Sequence, residues 1–207
     1  MSQVVSAFGI PIYCHELTGI SEDVEKILEF CKDSSNFRTL TTSGNNLMST
    51  DYQVLDTLDC KNLKSEILSQ VRFYADEVMG IDYDDIVITQ CWVNQYPPGA
   101  SHHMHTHPNC LISANMWLKV SENCGYMTFE DPLINFNQIE PTVKKETPYN
   151  SKRMSIEPAE NFMVVFPSNI HHTVEQNKSN ETRISMAINF WIKGTLGKEE
   201  HYNMLKL

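Results

Sequence analysis

His102-His103-Met104-His105-Thr106-His107-Pro108 and Pro167-Ser168-Asn169-Ile170-His171-His172 hold six of the chain's eight histidines, and Arg183-Ile184-Ser185 follows soon after the second run. Both runs lie in β-rich sequence. Neutral imidazole is the commonest protein ligand for iron, zinc, copper and nickel, so two histidine clusters carried by strands point to one metal site assembled across a sheet. The rest of the chain must then supply a β-fold that brings the two runs together.

Periodicity supplies it. From Ile86 onward the chain reads as strands over 86–95, 111–120, 126–130, 162–166 and 183–192. Upstream, 4–16 reads as an edge strand, since Pro11 is tolerated at an edge and not inside a ladder. A helix is expected next, with Ser21 as N-cap, Glu22 and Asp23 complementing the dipole, and Val24, Ile27, Leu28 and Cys31 as its apolar stripe. A longer helix is expected over 61–78, where Leu63, Ile67, Leu68, Val71 and Val78 recur at helical spacing and Gly80 is a natural stop. The fold class is mainly β with N-terminal helices, a double-stranded β-helix of the jelly-roll, cupin-like kind. One domain is expected: 1–82 as N-terminal strand and supporting helices, 83–193 as core, and 194–207 as a tail. Between Asp131 and Glu160, four prolines and little alternation suggest a long connection of the sort that often forms a lid or binding loop.

Composition narrows the function. A chain of 207 residues with 41% hydrophobic residues can bury a core, and its net charge of −10 argues against phosphate-backbone binding, which needs clustered Lys and Arg. No nucleic-acid partner is expected. The N-terminus lacks the basic-then-apolar pattern of a signal peptide, and no apolar run approaches the ~18 residues of a membrane span, so a cytoplasmic protein without membrane association is expected. Six cysteines without any Cys-x-x-Cys spacing fit reduced, buried thiols.

In a strand, residues two apart share a face, so His105 can pair with His107 or with His103, and His102 points away. Pro108 biases His107 toward an extended backbone. The strand over 162–166 ends at Pro167-Ser168, after which the chain presents His171 or His172 as a third ligand. Three histidines leave coordination positions open, as an oxygen-activating or Lewis-acid site requires, and no Cys stands at the spacing that would close a structural zinc site. Arg183 and Ser185 share a strand face. A planar guanidinium suits a carboxylate through two charge-assisted hydrogen bonds, so metal, open positions and a carboxylate anchor together fit an oxo-acid cosubstrate.

Tyr96-Pro97-Pro98-Gly99, His105-Thr106-His107-Pro108-Asn109, 125–132 (GYMTFEDP), Phe166-Pro167-Ser168 with His172, and Arg183-Ile184-Ser185 resemble, in that order, the motifs of 2-oxoglutarate/Fe(II)-dependent oxygenases with a double-stranded β-helix core, phage-encoded members included. The resemblance spans about 86–192. It implies that His105, His107 and His172 are the catalytic metal ligands, that Arg183 and Ser185 anchor the far carboxylate of 2-oxoglutarate, and that Tyr96, with Asn94 at the same parity, faces the cosubstrate. It further implies Fe(II) and 2-oxoglutarate as cofactors, O2 as cosubstrate, and hydroxylation of a C–H bond in a small molecule or protein side chain, with release of succinate and CO2. If the protein is phage-encoded, its place is the host cytoplasm.

The sequence departs from the wider pattern at two places. His107 stands where the superfamily usually has Asp or Glu, which leaves His103 or a carboxylate at Glu130 or Asp131 as competing ligands, and Leu133 stands where relatives often have Arg. Trp92 and Trp117 are candidates to shape the pocket or to fill the core. A cupin-type dioxygenase or isomerase that uses no 2-oxoglutarate is the alternative, because Gly99 and His105-x-His107 match the opening of its first motif. Against it, Leu111 and Ile112 stand where a glutamate is expected. A non-enzymatic metal-binding protein is the third reading.

Overall fold

Thirteen strands and three α-helices emerge in a computed structural model that describes residues 3, 9–132, 142–147 and 149–207. In chain order they are β1 (Tyr13–Glu16), α1 (Ser21–Phe30), β2 (Phe37–Leu40), β3 (Asn46–Ser49), α2 (Val54–Thr57), α3 (Lys61–Phe73), β4 (Asp85–Tyr96), β5 (His102–His105), β6 (Ile112–Lys119), β7 (Met127–Glu130), β8 (Arg153–Ile156), β9 (Phe162–Pro167), β10 (His172–Val174), β11 (Arg183–Lys193), β12 (Thr195–Leu196) and β13 (Leu205–Lys206). A seven-stranded sheet runs β1-β9-β6-β11-β4-β3-β2 and a four-stranded sheet runs β5-β10-β7-β8, with β12 and β13 paired apart. All strand pairs are antiparallel. Two such sheets make the expected jelly roll.

Alternation on β11 explains the layering. Ile184, Met186, Ile188 and Phe190 join Val93 of β4, Met116 of β6 and Val165 of β9 in a core completed by Val24 and Ile27 of α1 and Leu63, Ile67 and Val71 of α3. Burying each such aliphatic side chain stabilises the fold by roughly 1.5–3 kcal/mol before entropy is counted. The opposite face carries Arg183, Ser185, Ala187 and Asn189. These lie across from Tyr96, Asn94, Trp92 and Gln90 on β4, and the last three of them also from Trp117, Asn115 and Ser113 on β6. That face meets the smaller sheet through Trp117, Phe166, Phe129, Met127 and Ile170. A polar row therefore runs between the sheets beside an apolar plug.

Several local expectations are corrected. Ser21 is the first helical residue and not the N-cap: Ile20 holds that position without a side-chain bond. The buried Asp23 serves α3 instead, its carboxylate accepting the Leu63 N–H at 2.9 Å while Lys26 Nζ donates to it at 2.9 Å. α3 passes into a π-helical turn over Tyr74–Val78 before Gly80, whose φ of 59° ends it as expected. The β2–β3 hairpin was not foreseen. Its tip is fixed to the smaller sheet, with Ser101 N donating to Gly44 O and His103 N donating to Ser43 O, both at 2.9 Å.

All six cysteines are free, but only Cys60, Cys91 and Cys124 are buried, which corrects the expectation of burial for Cys14, Cys31 and Cys110. Within the connection after Asp131, β8 pairs with β7. Leu133 and residues 4–8 of the expected first strand lie outside the described residues. Among those described, no helix is long and apolar enough to cross a membrane.

Candidate active site

β5 and β10 bring the two histidine runs together. His105, the last residue of β5, lies directly opposite His172, the first of β10, so both rings leave the same face, with centroids 4.3 Å apart. Between those partners and the next pair, Val174 opposite His102, β10 advances two residues and β5 three. The extra residue is a β-bulge, and it reverses the parity of everything upstream. His102 therefore does not point away: it stacks on His105 at 4.1 Å, with Nδ1 3.4 Å from the Tyr96 hydroxyl. His103 is exposed instead.

His107 lies just past the end of β5, so its proximity to His105 is not a strand pairing. Its backbone N–H donates to Ser168 O at 2.9 Å, tying the β5–β6 turn to the turn before β10. Its ring centroid is then 5.4 Å from that of His105 and 5.1 Å from that of His172. One ring nitrogen from each of His105, His107 and His172 forms a set whose members all lie within 4.8 Å of one another. His171 is exposed. Glu130 is drawn off to Arg153 at 2.9 Å. Neither His103, His171 nor a carboxylate belongs to the set.

Each ring of the set offers the same nitrogen. His105 Nδ1 is 2.8 Å from His103 O and His172 Nδ1 is 3.1 Å from Ile170 O. A carbonyl only accepts, so both rings carry their proton on Nδ1 and keep an Nε2 lone pair. His107 Nδ1 lies 2.6 Å from Asn189 Oδ1, another acceptor. Burial pushes the His105 pKa down to about 4 and that of His172 to about 2, and repulsion from the neighbouring rings adds to both shifts. His102 falls to about 3 for the same reasons, and His107 is also lowered by burial, against the Asn189 bond. Deprotonated rings are what a metal needs, and an all-imidazole set suits iron as it suits zinc, copper and nickel.

On one side of the histidines is a cavity of about 30 Å³ whose walls include Trp92, Asn94, Tyr96, Asn115 and Phe166. Arg183 and Ser185 are not among its walls, although their β4 partners Tyr96 and Asn94 are. The Arg183 guanidinium carbon lies 4.2 Å from the centre of the Tyr96 ring. Nη1 donates to the carbonyls of Cys124 and Gly125 at 2.9 and 2.8 Å, while Nε and Nη2 are buried without a partner. Asn94 Oδ1 and Trp92 Nε1 are orphaned too. Among the described residues no carboxylate meets this cation. A buried, half-satisfied guanidinium is costly unless an anion completes it, so the residues present fit a dianionic oxo acid beside a metal.

On the other side an open groove of about 600 Å³ runs from the histidines past Trp92, between Leu40 and Met48 of the hairpin and Thr106 and Asn109 of the β5–β6 turn, with Thr89 and Gln90 along it. Among the described residues, no aspartate, glutamate, lysine or arginine lines it. Sequence reasoning placed Trp92 and Trp117 together, but only Trp92 reaches the cavity, while Trp117 packs in the apolar plug. It missed Asn189, Ser113 and Ser168 around His107.

Two facing antiparallel sheets enclose three clustered imidazoles and a buried arginine with two unsatisfied nitrogens, a double-stranded β-helix whose residues could hold a metal beside an oxo acid. Residues 90–189 match the family described as "Putative 2OG-Fe(II) oxygenase". Over that segment, just under half of the chain, the protein is similar to the 2OG-Fe(II) oxygenase family, and the match together with the three clustered histidines supports a 2-oxoglutarate-dependent dioxygenase with Fe(II) and 2-oxoglutarate as cofactors. No curated protein matches the chain. Among solved structures, a Pseudomonas putida prolyl-4-hydroxylase is 15% identical, covering 89% of this chain and 94% of its own, with a TM-score of 0.59. A Trichoplax adhaerens prolyl hydroxylase, in complex with a hypoxia inducible factor peptide fragment, is 15% identical with coverage of 87% and 83% and a TM-score of 0.61. The epimerase SnoN of nogalamycin biosynthesis is 12% identical with coverage of 91% and 82% and a TM-score of 0.61. At these identities the likeness is one of fold.

Proposed function

We propose that the protein hydroxylates a C–H bond of an organic substrate, with Fe(II) held by His105, His107 and His172 and with the far carboxylate of 2-oxoglutarate taken up by Arg183. The observation that carries this reading is the Nε and Nη2 edge of Arg183, buried and unpartnered, stacked on a tyrosine in the wall of the cavity next to the histidines. When bound, Fe(II) and 2-oxoglutarate supply the oxidation: O2 is reduced as the oxo acid loses CO2 to become succinate, and one oxygen atom enters the substrate.

The chain's own residues do the rest. The three histidines present neutral Nε2 donors from positions fixed by strand pairing and by the His107–Ser168 bond. Arg183 neutralises a carboxylate in a place water does not reach, where a charge-assisted contact is strongest. Ser185, opposite Asn94 on β4, provides a hydroxyl on the same face, and Tyr96 separates the cation from the histidines. The groove is the approach for substrate. Its uncharged walls suit a neutral segment with apolar C–H groups, and the fold neighbours, one holding a peptide fragment and another acting in nogalamycin biosynthesis, are compatible with either a protein side chain or a small molecule. Residues 83–193 are proposed as the catalytic core of one domain. The free cysteines and acidic charge support a cytoplasmic protein that does not act on nucleic acid.

Anaerobic titration of the Fe(II)-loaded protein with 2-oxoglutarate tests the reading. A metal-to-ligand charge-transfer band that saturates at sub-millimolar cosubstrate is expected. Its absence at millimolar cosubstrate transfers the chain to the cupin reading, which has no need of Arg183.

A further inference from the structure

His105 and His172 are held in their tautomer by carbonyls two residues away on their own strands or turns. His107 has no such local partner. Its Nδ1 is met from the site-facing row of the larger sheet by Asn189 Oδ1 at 2.6 Å, on β11, with Ser113 Oγ of β6 at 3.1 Å. Asn189 is only 4% exposed, so this contact is made away from water.

An amide can turn either end toward an imidazole, and the two choices select opposite tautomers. Here the choice is made by neighbours. Asn189 Nδ2 donates to Gln90 Oε1 at 3.2 Å, and Ser113 Oγ donates to Asn189 Oδ1 at 3.1 Å. Ser113 is itself 2.9 Å from Ser168 Oγ, in the same turn whose carbonyl receives the His107 N–H. With Nδ2 committed to Gln90, Oδ1 is left for His107, which must donate from Nδ1 and keep its Nε2 lone pair for a metal.

We propose that Asn189 is the positioning residue of this site: oriented by Gln90 and Ser113, its amide oxygen fixes His107 as the Nδ1–H tautomer and sets the affinity of the third ligand. This rests on reading His107 as a ligand. An amide acceptor fixes the tautomer without adding charge, so the metal meets three neutral donors. A carboxylate at Asn189 makes the same contact and increases ligand basicity. Gln90 lies on the wall of the substrate groove, so the chain Gln90–Asn189–His107 leads from that groove to the ligand set.

Long-range proton–nitrogen spectra of the metal-free protein with 15N-labelled histidine read the tautomer of each ring, and anaerobic Co(II) titration reads affinity. In the wild type His107 is expected as Nδ1–H. Asn189→Leu is expected to lose that single tautomer and to bind Co(II) about 10- to 100-fold more weakly, the usual effect of removing an outer partner of a ligating histidine. Asn189→Asp is expected to keep the tautomer and bind at least as tightly as the wild type. Gln90→Ala, an exposed change, is expected to mix the tautomers and weaken binding several-fold. The proposal is overturned if wild-type His107 carries its proton on Nε2, or if Asn189→Leu binds Co(II) within twofold of wild type. Should Asn189→Leu fail to fold, weaker binding in Asn189→Asp or unchanged tautomer and affinity in Gln90→Ala overturns it equally. A wild type that shows the Nδ1–H tautomer but binds no Co(II) at millimolar concentration contradicts the ligand assignment and leaves the hydrogen-bond reading standing.

Discussion

Arg183 lies over the ring of Tyr96 with its guanidinium carbon 4.2 Å from the ring centre, and only Nη1 of its three nitrogens has a hydrogen-bond partner. The stacking fixes the plane of the cation, and the two carbonyls on Nη1 fix its rotation, so the free edge formed by Nε and Nη2 has one direction. That edge matches the two oxygens of a carboxylate.

Arg183→Lys is therefore expected to weaken 2-oxoglutarate binding at least tenfold, because an ammonium offers a point charge where the site is shaped for a fork. Arg183→Ala costs more, roughly 2–5 kcal/mol by comparison with other buried charge pairs. Iron content stays unchanged in both. Anaerobic titration at the charge-transfer band measures it, and equal affinity in Arg183→Lys contradicts the two-point contact.

Metal analysis of purified variants separates the histidines. His105→Ala and His172→Ala are expected to lose most bound iron, since each removes one of three donors. His102→Ala is expected to retain it, because His102 stacks on His105 outside the set of three. Full occupancy in His172→Ala would move the ligand role elsewhere.

Acid should destabilise the metal-free protein through these same rings. Their folded pKa values, about 4 for His105 and about 3 for His102, lie below the ~6.5 of an imidazole in the unfolded chain. Between about pH 6.5 and 4 the unfolded state binds more protons, so stability falls as pH falls through that window and is flat above it. Asp23, whose carboxyl is held below its usual value chiefly by the Leu63 N–H and Lys26 against its burial, loses its contribution at lower pH still. Urea midpoints recorded from pH 8 to 4.5 check this. A midpoint that holds constant to pH 4.5 shows that the rings titrate normally, as they would if exposed.

Gly44 sets the hairpin over the groove. Its φ is 118°, and a Cβ there would stand 2.4 Å from Ser101 Oγ and 2.6 Å from Ser101 O. Gly44→Ala is expected to cost at least about 1 kcal/mol, lowering Tm by about 2–4 °C or more. It should also loosen the hairpin tip, seen as faster amide exchange at Ser101 and His103. Unchanged exchange with an unchanged Tm is the contrary result.

The strands that build the larger sheet were legible because β4, β6, β9 and β11 alternate or run apolar over several residues, and the histidine runs that form the candidate site stood out because histidine is scarce elsewhere. The β2–β3 hairpin was not, since Phe37–Leu40 and Asn46–Ser49 are too short and mixed to show a period. Parity failed at His102 because the bulge in β5 depends on pairing with β10, which no local pattern announces. Asn189 is different. It continues the row Arg183, Ser185, Ala187, and an amide on the site-facing row of a buried strand was a signal available in the sequence.

Succinate formation tests the central claim most directly. Iron-loaded wild-type protein supplied with 2-oxoglutarate and O2 is expected to release succinate slowly even without its substrate, in a reaction that stops on chelation of iron, on removal of O2 and in Arg183→Ala. Wild-type protein that holds iron yet yields no succinate above the chelated control at millimolar 2-oxoglutarate contradicts the account.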